Sequence, residues 1–418
     1  MSNRDDATES AVAVDLQDER LAKYEGLGGA WRAFISRTRS GDLGSLPVVI
    51  GLILIWIIFQ LLNPHFLASN NLVNLALQCA AIGTIALGVV LVLLVAQIDL
   101  SIGSIAGLAG AILAVSFTQL HWPLVLSLLA ALGAGAVIGV FYGFLYTRFG
   151  VPSFVITLAG LLGILGLQLA ILGRLGSINI PYESWVVQFA QLMFLPPWLS
   201  YAVAVLAALG YGSSRYASSR RREKAGLSST STIEIVVRSV LLLIVLGGTF
   251  WYLNTDRGVG LMFVVFMVLV VVLDYALTRT RWGRSVFAIG GNVEAARRAG
   301  IRVNRVFMSV FILGTTLAAL GGLLAAARLG AANQSSGGGD TNLTAIAAAV
   351  IGGTSLFGGR GSAWSALLGI VVIQSIASGL TLLSLDASIR FMVTGAVLLL
   401  AVIIDAISRR SRELHGRA

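Results

Sequence analysis

Residues 72–97 read LVNLALQCAAIGTIALGVVLVLLVAQ, a run without one charged side chain. About 20 apolar residues suffice for a helix to cross the hydrocarbon of a bilayer, so this run spans with residues to spare. The rest of the chain has the same character. Hydrophobic residues make up 57% and charged ones 11%, against about half and a quarter in soluble domains, and the mean hydropathy is +0.88. Further apolar segments lie at 46–62, 103–119, 123–146, 153–173, 198–212, 237–253, 260–278, 306–328, 343–357, 363–385 and 388–407. The predicted fold is therefore all-α and polytopic, with about 10–12 transmembrane helices. The short segments 198–212 and 343–357 are the candidates for half-helices or re-entrant pieces. The 48 glycines suit helices that approach closely.

Orientation follows from the basic residues. With the amino terminus inside and twelve crossings, the inner side collects 25 of the 29 lysines and arginines, leaving Arg174, Arg257, Arg328 and Arg390 in four outer loops. That asymmetry places both termini in the cytoplasm. It divides the chain into a cytoplasmic leader (1–45), a membrane domain (46–408) and a basic tail (409–418), with basic inner loops at 213–237 and 279–305. The leader opens with polar residues and no signal peptide, and Val14–Tyr24 reads either as a surface amphipathic helix or as part of a disordered polar stretch. The net charge of +10 is spent on orientation, which argues against nucleic acid as a partner. Cys79 is the single cysteine and His65, His121 and His415 are scattered, so no disulfide or metal site is expected.

The inner loop 279–305 reads RTRWGRSVFAIGGNVEAARRAGIRVNR. Gly290 and Gly291 are expected to break the chain, Asn292 to cap a two-turn helix, Glu294 to sit in its first turn and Gly300 to end it in a left-handed conformation. Ala295, Ala296 and Ala299 then offer a low surface that a groove in another protein can accept. Two polar, glycine-punctuated runs interrupt the apolar pattern elsewhere: QIDLSIGS at 97–104 and IGGTSLFGGRGS at 351–362. Irregular backbone at membrane depth persists only where protein or a water-filled cavity satisfies it. Gln97, Asp99, Ser101, Gly103, Gly352, Gly353, Gly358 and Gly359 are accordingly read as channel-lining or structural residues. For Asp99, a helix cap is favoured over substrate contact. A shared Leu-x-x-Gly pattern, Leu100 to Gly103 and Leu356 to Gly359, hints at an internal repeat. Residues 353–360 lack the lysine followed by serine or threonine of a nucleotide-binding loop.

With these motifs in view, the chain resembles the permease subunits of ABC importers. Glu294, Ala295, Ala296 and Gly300 look like their coupling-loop motif. The longer run Gly283, Arg284, Ala288 to Asn292, Glu294 to Ala296, Gly300 and Ile301 resembles the version in monosaccharide permeases of the ribose and xylose type. The segments 97–104 and 351–362 resemble two further signatures of that family. The resemblance covers most of 46–408. Segments 198–212 and 237–253 stand apart as an insertion relative to ribose-type members, a length that is similar to xylose-type and multiple-monosaccharide permeases.

The resemblance implies a transport subunit of a bacterial plasma (inner) membrane, itself no enzyme and binding no cofactor. ATP and Mg would be bound by a separate ATPase docking on Gly290, Gly291, Asn292, Glu294, Ala295, Ala296 and Gly300. It also implies an extracytoplasmic sugar-binding protein docking on outer loops 63–71, 174–197 and 329–342, a second permease copy, and a monosaccharide substrate, expected to be a pentose such as xylose. The alternative is a proton-coupled secondary sugar transporter, since twelve segments split six and six about the loop 213–237. Against it, Asp274 and Asp405 fall at predicted inner ends, and Gln78, Gln168 and Gln374 do not ionise.

The charge asymmetry makes a direct prediction. Cysteines introduced at Ser218 and Ser411 should resist an impermeant thiol reagent in intact cells, whereas cysteines at Ser177 or Asn254 should react. Labelling of Ser218→Cys from outside would break the assigned alternation between the fifth and seventh segments.

Overall fold

The computed structural model describes residues 46–224, 230–386, 388–389, 391–393, 395–397, 399–400 and 403. The leader with its amphipathic stretch, Asp405 and the basic tail lie outside the described residues. In chain order the elements are α1 (Leu46–Leu62), α2 (Ser69–Leu94), α3 (Ile102–Ala114, continued by a π-turn at Val115–Gln119), α4 (Leu124–Phe149) and α5 (Ser153–Leu172). Then come β1 (Ser177–Asn179), α6 (Trp185–Gln191), α7 (Pro197–Lys224), α8 (Thr232–Leu253), α9 (Leu261–Arg279), α10 (Arg281–Gly291) and α11 (Val293–Arg298). The last are α12 (Val303–Leu329), β2 (Ala331–Asn333), α13 (Gly339–Ile351) and α14 (Ala363–Leu382). Eight helices among the described residues are long and apolar enough to cross a bilayer. The protein is an all-α, multi-pass membrane protein.

The sequence reading needs correcting in two places. Segment 198–212 is no half-helix but the first part of the 28-residue helix α7, and the expected loop from 213 is helical as far as Lys224. The polar extension holds because arginines stack on tyrosines one turn back: Arg215 over Tyr211 at 5.5 Å and Arg220 over Tyr216 at 5.1 Å. Segment 343–357 does yield a short helix. The 13 residues of α13 rise about 20 Å, less than the roughly 30 Å of hydrocarbon, and the chain leaves the helix at Gly352 in a glycine-rich turn. Of segment 388–407, the described residues are helical.

The described chain groups into two units, one being Pro196–Tyr252 and the other the remaining described residues. In the first, Ser219 Oγ donates to Thr230 O at 2.8 Å across the α7–α8 connection. Helix α8 has only 6% of its apolar window buried within the protein, the pattern of a helix that presents its sides to lipid. In the second unit, α2 is the central post, with 89% of its window buried. Helix α12 packs on α2, α3 and α4, and glycine permits the approach. A Cβ on Gly88 would sit 2.5 Å from Gly314 O, and one on Gly322 2.0 Å from Ala106 O.

One end of this unit is closed by a feature that the sequence reading did not include. Strands β1 and β2 pair antiparallel, Ser177 with Asn333, Ile178 with Ala332 and Asn179 with Ala331. Chain between 174 and 197 is thus structured by a small sheet and by α6.

The α12 crossings predict a sharp split among glycine variants. Gly88→Leu and Gly322→Leu should lower the thermal stability of the detergent-solubilised protein, each by about 1–3 kcal/mol through overpacking. Gly133→Ala in α4, with no atom within 4 Å of the added Cβ, should leave the melting temperature unchanged or raise it slightly. Melting followed by size-exclusion recovery decides the matter, and equal melting temperatures for all three variants would refute the close-approach account.

Candidate functional site

The predicted inner loop at 279–305 folds into two short helices joined at a right-handed-to-extended break. Thr280 is extended and caps α10, its Oγ1 accepting from Gly283 N at 3.1 Å. The Trp282 indole N–H donates to Ser309 Oγ at 2.8 Å and ties α10 to α12. Val286 and Ile289 are buried on the inward side of α10. Asn292 then leaves the helical region at φ −160°, and its Oδ1 accepts from Ala295 N at 2.9 Å to cap α11. Gly300 ends α11 at φ +80°. Its N–H donates to Arg297 O at 3.0 Å and that of Ile301 to Ala296 O at 3.1 Å, the paired bonds of a Schellman motif. Glu294 lies in the first turn and pairs with Arg297 at 3.1 Å on the surface.

Three corrections concern particular residues. Gly290 and Gly291 do not break the chain; they are the last residues of α10, and the break falls at Asn292. Ala296 is buried, at 3% exposure, so it roots α11 on the protein and is closed to a partner, because Ala296 lies under α11 once Asn292 and Gly300 fix both ends. The surface offered outward is Glu294, Ala295, Arg297, Arg298 and Ala299. Asp99 is not the cap of α3, a position held by Ser101. It forms a turn of its own, Oδ1 accepting from Ser101 N at 2.8 Å and Ser101 Oγ at 2.7 Å, and Tyr142 OH donates to Ser101 Oγ at 2.9 Å.

The structure brings two of the sequence motifs, 279–305 and 351–362, together on the end of α2, just ahead of the third at 97–104. Leu94 O, at the end of α2, accepts from Gly359 N at 3.0 Å. A Cβ on Gly290 would stand 1.8 Å from that same oxygen and 2.4 Å from Gly359 N. A Cβ on Gly358 would stand 2.7 Å from the Cβ of Ala96. The end of α10, the start of 95–101 and the loop 352–362 are thus in backbone contact, with Gly353, Gly358 and Gly359 all at positive φ. Gly352 packs on the backbone of Ser365. Gln97 is half-buried, its Nε2 donating to Val95 O at 3.4 Å, and Gly103 abuts Gly337 and Asn342. The two Leu-x-x-Gly runs differ in conformation: Leu100–Gly103 enters a helix, while Leu356–Gly359 is a turn.

A second feature lies nearer the β1–β2 end. Chain 334–342 runs from β2 into α13 and is held from both sides. Gln168 Nε2 donates to Asn333 O at 3.1 Å and to Ser336 O at 3.0 Å, and Asn342 Nδ2 donates to Leu100 O at 2.5 Å. Beside it is a cavity of about 340 Å³ whose polar lining includes Gln78, Arg328, Asn333, Asp340, Thr341 and Gln374, over aliphatic walls such as Ile82, Ile85 and Ala325. None of Gln97, Asp99, Ser101, Gly103, Gly352, Gly353, Gly358 and Gly359 lines this cavity. Arg328, expected in an outer loop, is in the last turn of α12. Sequence reasoning missed the site because its residues come from helices some 250 to 300 positions apart. The available signal was glutamine within apolar runs, at 78 and 374.

The family model described as "Branched-chain amino acid transport system / permease component" matches residues 71–402. The xylose transport system permease protein XylH of Escherichia coli K12 is 36% identical over 345 residues, 82% of this chain and 87% of that protein. Its namesake in Haemophilus influenzae is 32% identical over 345 residues, 82% and 91% of the two chains. The ribose import permease protein RbsC of E. coli K12 is 30% identical over 359 residues, 85% and 92%. No solved structure matches.

The contact at Leu94 separates two adjacent glycines. Gly290→Val should lower the melting temperature, because its side chain meets backbone that cannot withdraw, whereas Gly291→Val, with no atom within 4 Å, should change it little. Equal melting of the two variants would show that α10 is not seated on α2 as described.

Proposed function

The chain belongs to the branched-chain amino acid transport system / permease component family, and from that premise we propose that it is the membrane subunit of an ATP-driven monosaccharide importer. The substrate we propose is a pentose such as xylose, since the relatives named above are xylose and ribose permeases. A separate ATPase would supply the energy, an extracytoplasmic binding protein the sugar, and a second copy of this chain the other half of the pathway. The basic end with α10 and α11 would face the cytoplasm, with both termini, as the distribution of lysine and arginine favours. The seven arginines at 279–305 accumulate there.

The observation that supports this reading is the meeting of the 279–305 and 351–362 motifs at Leu94 O, at the end of α2. A helix capped at both ends, rooted by Ala296 and exposing small and charged residues, suits docking into a groove of a soluble partner. Motion imposed on it would pass through Gly290 to α2 and to the 352–362 loop without a flexible side chain between. Transport would then follow alternating access, driven by nucleotide binding and hydrolysis in the partner.

Two substitutions test it. Gly300→Val strains a left-handed residue with no atom within 4 Å of its Cβ, a purely local cost on the order of 1–3 kcal/mol. Glu294→Lys removes the pair with Arg297 and puts a cation at the positive end of the helix. Both variants should reach the membrane at near-normal abundance, yet lose pull-down of the ATPase from detergent extracts and uptake of labelled xylose together. Normal pull-down and uptake in both would reduce α11 to a basic connector.

A further inference from the structure

The cavity beside chain 334–342 holds an unusual set of uncommitted polar groups. Gln78, Arg328, Asp340, Thr341 and Gln374 all line it. Among the described residues, none of these side chains has a hydrogen bond or an ion pair, whereas neighbouring amides are engaged through their nitrogens: Gln168 with two carbonyls, Asn342 with Leu100 and Gln191 with Arg328 O. Gln374 is only 7% exposed. A primary amide so enclosed and still unpaired is costly unless a solute or water meets it.

We infer that this cavity is the point in the membrane where the transported solute is held, with Gln78 of α2 and Gln374 of α14 as its hydrogen-bonding contacts. This rests on the transport reading above. The chemistry of the lining narrows the solute to an uncharged polyhydroxyl compound. Each amide supplies donors and an acceptor, as vicinal hydroxyls require. Arg328 and Asp340 bring one charge of each sign, so the cavity gives no net attraction to an anion or a cation. No aromatic ring lines it, so a sugar has no stacking platform and is held weakly enough to leave.

The test uses the complete transporter in membrane vesicles and has two independent arms. In the first, Gln78→Ala together with Gln374→Ala should reduce xylose uptake at saturating binding protein by at least about tenfold, the scale of two ordinary hydrogen bonds. ATPase pull-down and membrane abundance should stay normal, which shows the variant folded and assembled. Uptake within about twofold of the parent, less than one ordinary hydrogen bond is worth, would overturn the inference. Absence of xylose uptake in the parent transporter would instead overturn the substrate reading and leave the cavity to the second arm. There, Thr341→Cys, with the buried Cys79 left in place, is labelled with cationic and anionic methanethiosulfonates of matched size. Similar rates for the two are expected, shifting several-fold toward the anionic reagent in Asp340→Asn. No labelling by either reagent, or the same rate ratio with and without Asp340, would show that the cavity is closed to solutes or that its charges do not govern entry, and would overturn the inference whatever the sugar.

Discussion

Backbone that leaves a helix inside a membrane has to find every hydrogen bond within the protein, and much of this fold answers that requirement. The chain departs from helix at 95–101, at 334–338 and at 352–362. Each departure is met by groups from elsewhere: Leu94 O by Gly359 N, Leu100 O by Asn342, and Asn333 O and Ser336 O by Gln168. Short helices α3 and α13 follow from this, because each starts from a piece of irregular chain that the other supports. The glycines at these points serve the same end, since carbonyls and amides meet only where no Cβ holds the backbones apart.

The sequence revealed whatever depends on neighbours within a few residues. Apolar run length located the spans, and the caps at Asn292 and Gly300 could be read because a cap is settled by residues two to four positions away. What failed was of longer range or rested on a misleading composition. The extension of α7 through Arg215–Lys224 looks like a solvated loop until the arginines are seen to stack on Tyr211 and Tyr216. Gly290 reads as a breaker from its intrinsic preference, yet it lies within α10, at a point where a side chain would meet the backbone of Leu94. Strands of three residues carry no periodicity to detect, so β1 and β2 were out of reach. The inward turn of Ala296 could not be read either, since six residues of helix do not declare which side is covered.

The three motifs were recognised as separate signals, and two of them meet at the end of α2 while the third follows it in the chain. This changes what their residues are for. Gly352, Gly358 and Gly359 shape a turn that lets α10 rest on α2, and Asp99 and Ser101 fix the exit from α2 through Tyr142. On the inference above, the polar groups that meet the solute lie elsewhere, and include Gln78 and Gln374, which sequence reading set aside because they do not ionise. The sequence motifs and the inferred binding site are thus distinct: the first hold irregular chain in place, the second is what that chain leaves open.

On the proposed reading, the arrangement also explains how work at one end can reach a solute at the other. Gln78 and Gln374 sit on α2 and α14, and these are the helices adjoining the contact at Leu94: α2 ends there, and α14 follows directly from the 352–362 loop. From Leu94 back to Gln78 is about 24 Å of helix, and from Ala363 to Gln374 about 16 Å. A helix transmits displacement along its axis with little compression, and both lengths are rigid through most of their course, since α2 is 89% and α14 67% buried over their apolar windows. A shift of α10 against Leu94 and Gly359 would therefore move both amides at once. The partners of a solute would part or close together without any change in the solute's own chemistry, as an importer driven by a separate motor requires.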